Sequence, residues 1–113
     1  MSVVPAGQPV DGLPVYTMVD VGQHATMDDR IWVTYGHGVY DITDFVEQHP
    51  GGDKILMAAG GSLEPFWLLY GVHKNPTVFA LLEKWRIGMY LITPEEQYYT
   101  VHIKCQGLLE AFV

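Results

Sequence analysis

Hydrophobic positions gather in two short runs, Ile31-Trp32-Val33-Thr34-Tyr35 and Val39-Tyr40-Asp41-Ile42, whose β-branched and aromatic side chains suit a pleated surface. Gly36-His37-Gly38 lies between them, and glycine's access to positive φ predicts a β-hairpin. Elsewhere the pattern is that of short helices. After a strand at Val15 and Tyr16, Thr17 with Asp20 reads as a capping box for a helix from Met18 to about His24. Asp44 and Glu47 predict a second helix start, closed by Pro50-Gly51 with His49 at the stop. A third helix covers roughly Asp53 to Ala59 and ends at Gly60-Gly61. A fourth has Pro65 at its first position and runs to Tyr70, with His73 beyond its end. Asn75-Pro76 then opens a helix through Trp85, with Lys84 and Arg86 in its last turn and Gly88 as its stop, before a closing strand near Met89 to Ile92. The expected architecture is α+β: a small mixed sheet supporting two pairs of short helices that frame a cleft.

Length and composition narrow this further. One domain is the natural reading of 113 residues, and 49% apolar with 17% charged residues excludes a disordered, coiled-coil or collagen-like chain. Residues 1–14, with Pro5, Pro9 and Pro14, read as a flexible arm, 15–92 as the domain and 93–113 as a tail of uncertain structure. In that tail the capping box Thr93-Pro94-Glu95-Glu96 competes with the extended preference of Tyr98, Tyr99, Val101 and Ile103. Six basic against thirteen acidic side chains leave a net charge of −7, which argues against nucleic acid and anionic membranes and for a basic partner. Apolar runs fall short of the ~18 residues a membrane span needs, and signal- and transit-peptide character is lacking, so a soluble chain is expected. Cys105 is the single cysteine, which excludes an internal disulfide and a cysteine-built zinc site.

The chemistry concentrates in His49 and His73, two helix-end histidines 24 residues apart with apolar sequence between them. Facing each other, they suit a haem, which needs an imidazole nitrogen on each side of the iron and apolar walls for the porphyrin. Phe45, Ile55, Leu56, Leu68 and Val72 are the candidate walls. Gly51 and Gly52 keep side chains away from the turn that presents His49, and a carbonyl in that turn can fix the imidazole tautomer. The same His-Pro-Gly-Gly tetrapeptide also reads as a plain helix stop, and a histidine is more often structural than a ligand.

Taken together, Trp32-Val33, Val39-Tyr40-Asp41-Ile42-Thr43-Asp44-Phe45, His49-Pro50-Gly51-Gly52, Gly60-Gly61 and His73 resemble the haem-binding signature of the cytochrome b5 family over about residues 15–92. The resemblance implies a b-type haem with His49 and His73 as its iron ligands. Within that family the run from Ala58 to His73, with Pro65-Phe66-Trp67, is similar to the haem domain of animal sulfite oxidases. It departs from them in a loop one residue shorter between Gly52 and Lys54, and in Gly71 where alanine is usual. The likeness implies a one-electron carrier between a molybdenum-cofactor domain, which 113 residues cannot contain, and cytochrome c or another basic redox protein. Its compartment would be the mitochondrial intermembrane space. The alternatives are a free-standing cytosolic carrier reduced by a flavin reductase, and a haem- or small-ligand-binding module without redox duty.

Without a Cys-x-x-Cys-His motif the haem would be held non-covalently. Lys74 is a candidate for a haem propionate. Asp28, Asp29, Asp41, Asp44, Glu47 and Asp53, before and around His49, are candidates for docking, balanced against ordinary surface charge. His24, His37 and His102 are expected to be structural, Trp32, Trp67 and Trp85 to pack the core, and Cys105 to be inert.

Overall fold

A computed structural model of the chain describes residues 6–91, apart from the side chain of Asp53. Five strands, β1 (Val15–Tyr16), β2 (Trp32–Tyr35), β3 (Gly38–Asp41), β4 (Gly61–Ser62) and β5 (Arg86–Tyr90), form one mixed sheet in the order β1-β5-β3-β2-β4. β2 and β3 make the predicted antiparallel hairpin, Trp32 opposite Asp41 and Tyr35 opposite Gly38, with Gly36 at φ +56° in the turn. β1 adds to β5 and β4 to β2 in parallel. The three α-helices are α1 (Met18–Gly22), α2 (Glu64–Leu69) and α3 (Pro76–Glu83), and 3₁₀ turns cover Thr43–Gln48, Gly52–Ala58 and Gly71–His73.

Local chemistry explains where the helices start. The Thr17 hydroxyl accepts from the Asp20 N–H while the Asp20 carboxylate accepts from the Thr17 N–H, so α1 opens on a full capping box. The Asn75 side chain accepts from the Val78 N–H to start α3. Asp44 and Glu47 do not box. Asp44 turns instead to Arg30 at 3.3 Å, and the segment tightens into a 3₁₀ turn with no side-chain cap. Asp41 does the anchoring: its carboxylate accepts from Arg30 Nε at 2.6 Å, from the Thr43 hydroxyl at 2.6 Å and from the Thr43 N–H at 3.1 Å. Burial pushes the Asp41 carboxyl up, but these bonds outweigh it and its pKa is lowered. Their contribution is therefore present at neutral pH and lost as pH falls through the lowered value.

Alternation along β2 and β3 divides the core between two faces. Val33 and Tyr40 join Ile31, Ile42, Trp67 and Leu82 on the side of α2 and α3, and Val39 packs with Val21 and Tyr90 on the other. Residues 6–14, expected as a flexible arm, lie against the domain: Ala6 is buried, the Gly7 N–H donates to Glu83 Oε1 at 3.0 Å, and the Gly7 carbonyl accepts from the His37 N–H at 2.8 Å. The Tyr40 hydroxyl donates to the same Glu83 oxygen at 2.8 Å, and burial followed by that bond raises its pKa well above the phenol range. The tail 93–113 and the end of the closing strand at Ile92 lie outside the described residues.

Two expectations are corrected around β5. α3 ends at Glu83, and Arg86 and Gly88 belong to the strand rather than to a helix turn and its stop. The reason is packing. A Cβ on Gly88 would lie 2.5 Å from Tyr16 Cε2 and 2.7 Å from the Pro14 carbonyl, which is itself held by the Met89 N–H. Gly88→Ala is therefore expected to destabilise the fold by about 2 kcal/mol, the scale of overpacking, read from the shift of the chemical-denaturation midpoint.

Candidate functional site

The cleft opens between the 3₁₀ pair on one side and α2, the Gly71–His73 turn and α3 on the other. Its volume is about 720 Å³, within the range of cofactor pockets. Two helical stripes supply one wall: Leu63, Phe66, Trp67 and Tyr70 from α2 and its flanks, and Val78, Leu81, Leu82 and Trp85 from α3 and its end. Each stripe has the i, i+3, i+4, i+7 spacing of one helix face. Phe45, Ile55 and Met57 line the opposite side, with Ile42 and Ala58 at the base next to the sheet core.

His49 and His73 stand on opposite sides of this cleft, ring centres 6.4 Å apart and ring planes within 17°. A metal bonded at about 2 Å to one nitrogen of each ring, with about 1 Å more from nitrogen to ring centre, sets the centres about 6 Å apart. Tautomers fit as well. His49 Nδ1 lies 3.1 Å from the Gly52 carbonyl and His73 Nδ1 lies 2.9 Å from the Tyr70 carbonyl. A carbonyl only accepts, so each Nδ1 carries the proton and each Nε2 keeps a lone pair for a metal. Phe45 meets His49 edge-on at 5.8 Å, and Trp67 stacks on His73 at 5.4 Å and 13°.

Of the residues singled out from sequence, His49, His73, Phe45, Gly51, Ile55 and Val72 line the cleft. Gly52 is outside the lining, and its carbonyl instead holds His49 Nδ1 at 3.1 Å. Leu56, Leu68 and Lys74 are corrected. Gly52–Ala58 is a 3₁₀ turn rather than an α-helix, and at three residues per turn Lys54 and Met57 share one row and Ile55 and Ala58 another, leaving Leu56 on the solvent side, 37% exposed. Leu68 falls off the Leu63–Tyr70 stripe and is 42% exposed. Lys74 is exposed and outside the lining, whereas Lys54, not picked from sequence, is inside it. Trp67 packs in the core as expected and lines the cleft as well, and Trp85, 4.7 Å from Phe45, also lines it. The signal that would have found them is the helical spacing of the two stripes.

Elsewhere, His24 stacks on Trp32 at 3.6 Å and its Nδ1 donates to the Asp29 carbonyl, a structural role. Among the described residues no group of three or more His, Cys, Asp or Glu side chains is placed to hold a metal ion, and no helix is long and apolar enough to cross a membrane.

Comparison with known proteins fits this geometry. Residues 17–91 match the family described as cytochrome b5-like haem/steroid-binding domain. The chain is 60% identical over 76 residues to mitochondrial sulfite oxidase of Drosophila melanogaster, covering 67% of this chain and 13% of that protein. It is 55% identical over 84 residues to sulfite oxidase of Gallus gallus, covering 74% and 18%. It thus spans less than a fifth of the length of those relatives. Among solved structures, cytochrome b558 of Ectothiorhodospira vacuolata, a prokaryotic homologue of cytochrome b5, superposes with a TM-score of 0.61 at 32% identity, covering 68% of this chain and 98% of that one. The cleft, the sheet beneath it and these likenesses together place the chain in the cytochrome b5-like haem/steroid-binding domain family.

Proposed function

We propose that this domain binds one b-type haem through His49 and His73 and serves as a one-electron carrier. The observation that carries the reading is the facing pair of imidazoles, each donating from Nδ1 to a backbone carbonyl, across an apolar cleft. That pair favours haem over steroid, since a steroid has no use for two opposed lone pairs. Bound there, haem iron supplies an Fe(III)/Fe(II) couple. His49 and His73 would hold the iron, and with two protein ligands the group would supply electron transfer rather than oxygen or hydrolytic chemistry. The two helical stripes keep water from the buried rim, and Lys54 is the cation nearest at hand for a propionate.

Identities of 43 to 60% to sulfite oxidases, against 41% to cytochrome b5 of Oryza sativa subsp. japonica, favour a sulfite oxidase haem domain. In that setting electrons arrive from a molybdenum centre and leave to cytochrome c, in the mitochondrial intermembrane space. Sequence flanking these 113 residues in the full reading frame decides between this and a free carrier reduced by a flavin enzyme: a molybdenum-cofactor domain supports the first and its absence the second. The carrier role itself is tested with carbon monoxide. The reduced protein is expected to bind it poorly at neutral pH because a histidine must first leave, and rapid stoichiometric binding would remove the reading.

Docking follows from charge. The His49 side of the mouth carries Asp44 and Glu47, both exposed. Asp44 is paired with Arg30, whereas Glu47 is in no ion pair among the described residues. An acidic rim steers a basic acceptor by long-range attraction, and at ~0.15 M ionic strength screening confines it to about 8 Å. Electron transfer to cytochrome c is expected to slow as salt rises, and Glu47→Lys to slow it about threefold at low salt and little at high salt. Flat stopped-flow rates across the salt series would exclude this face from docking.

A further inference from the structure

His49 and His73 are mounted differently. The His49 backbone is set by a proline and two glycines, while His73 sits on a three-residue 3₁₀ turn, Gly71–His73, with no such constraint in its own sequence. The Lys74 N–H closes that turn onto the Gly71 carbonyl at 3.0 Å, and Asn75 fastens it from outside. Its side-chain Nδ2 donates to the Val72 carbonyl at 2.7 Å, and its backbone N–H donates to the His73 carbonyl at 3.0 Å. The peptide units on both sides of His73 are therefore tied to one residue. The remaining polar group of the first unit, the His73 N–H, donates to the Tyr70 carbonyl at 3.2 Å, the same oxygen that receives His73 Nδ1. Meanwhile Asn75 Oδ1 accepts from the Val78 N–H at 3.0 Å and fixes the residue to the first turn of α3. Asn75 also lines the cleft.

We propose that Asn75 is a positioning residue for the His73 ligand: its amide joins the His73 turn to the start of α3, and so sets the plane and reach of the imidazole. The two ends of the amide have separable duties. Oδ1 caps the helix, and any acceptor of similar reach replaces it. Nδ2 fastens the Val72 carbonyl, and only a donor can do that. The same rigid amide couples the two, so α3, whose Val78, Leu81 and Leu82 build the cleft wall, and His73 are held in one frame. A capping residue chosen only for helix stability need not be an amide, since serine, threonine and aspartate cap as well.

This rests on the bis-histidine haem reading. The test compares Asn75→Asp, which keeps the cap and loses the donor, with Asn75→Ala, which loses both. Each is measured alongside the parent for thermal midpoint without haem, rate of haem transfer to excess apomyoglobin, and the electron paramagnetic resonance of the ferric form. Asn75→Asp is expected to keep the parent's midpoint, to release haem on the order of fivefold faster for one lost hydrogen bond, and to shift the low-spin g values as the His73 plane turns. Asn75→Ala is expected to show the same haem effects with a lowered midpoint. An Asn75→Asp protein with the parent's transfer rate and g values would overturn the proposal, leaving Asn75 a helix cap alone. A parent protein with no six-coordinate low-spin signal would overturn both it and the haem reading, so the two failures are distinct.

Discussion

His49→Ala and His73→Ala are each expected to abolish the six-coordinate low-spin ferric spectrum and to weaken haem binding by more than about a hundredfold. The scale follows from a comparison: losing a residue that merely orients a metal ligand typically costs about 10- to 100-fold in affinity, and these variants remove a proposed ligand itself. Neither side chain is part of the buried core, as both rings are only partly buried at the cleft, so the apoprotein should stay folded with an unfolding midpoint near the parent's. The single variants also differ from each other. His49→Ala leaves the Gly52 carbonyl at a turn open to water, and His73→Ala removes the ring that Trp67 stacks against at 5.4 Å. Fluorescence of the tryptophans should therefore change more in the second. If both variants keep an unchanged low-spin spectrum, the ligand assignment is wrong.

Gly51→Ala should approach the effect of losing His49, although it touches no atom that bonds to a metal. Gly51 has φ −81°, where alanine is at ease, so the backbone raises no objection. The side chain does: its Cβ would stand 2.7 Å from His49 Cε1 and 3.2 Å from Nδ1. The ring must then turn, breaking the bond from Nδ1 to the Gly52 carbonyl and misdirecting Nε2. A loss of haem affinity on the order of 10- to 100-fold is expected, measured by haem titration, with a mixed-spin spectrum. Gly52 offers the contrast. It sits at φ +65° with nothing within 4 Å of an added Cβ, so Gly52→Ala is expected to cost about 1 kcal/mol of backbone strain and to leave the spectrum intact. Equal behaviour of the two variants would contradict the separate roles of these adjacent glycines.

Most of the ligand side of the cleft could be read from the chain because its signals are local. His49 is followed at once by the proline and glycines that shape its turn, and Asn75-Pro76 marks the start of α3 in four residues. The hairpin announces itself through β-branched and aromatic runs on either side of Gly36-His37-Gly38, and α1 through the Thr17–Asp20 box. Walls were harder. Leu56 and Leu68 are apolar and near the ligands in sequence, yet one residue of rotation on a helix points a side chain to the other face. Leu63, Phe66, Trp67 and Tyr70 carried the right spacing, but spacing gives the width of an apolar stripe without naming what it faces.

By itself, then, the sequence determined the elements that depend on a few neighbouring residues: the Thr17 and Asn75 caps, the hairpin turn, the stop at Pro50-Gly51, and the two histidines at helix ends. Only tertiary structure decided what depends on a distant partner. Gly61–Ser62 became strand β4 because β2 had an open edge for it to pair with. Arg86 and Gly88 became strand because β1 and β3 lie on either side of β5 and Tyr16 packs over the glycine. Lys54 lines the cleft and Lys74 does not, because Lys54 lies in a 3₁₀ turn that faces the cleft. Most of all, the 6.4 Å between the His49 and His73 rings is a property of two separate segments brought to face each other by one sheet. No local run of residues encodes a distance between atoms whose chain positions are joined only through the packed core.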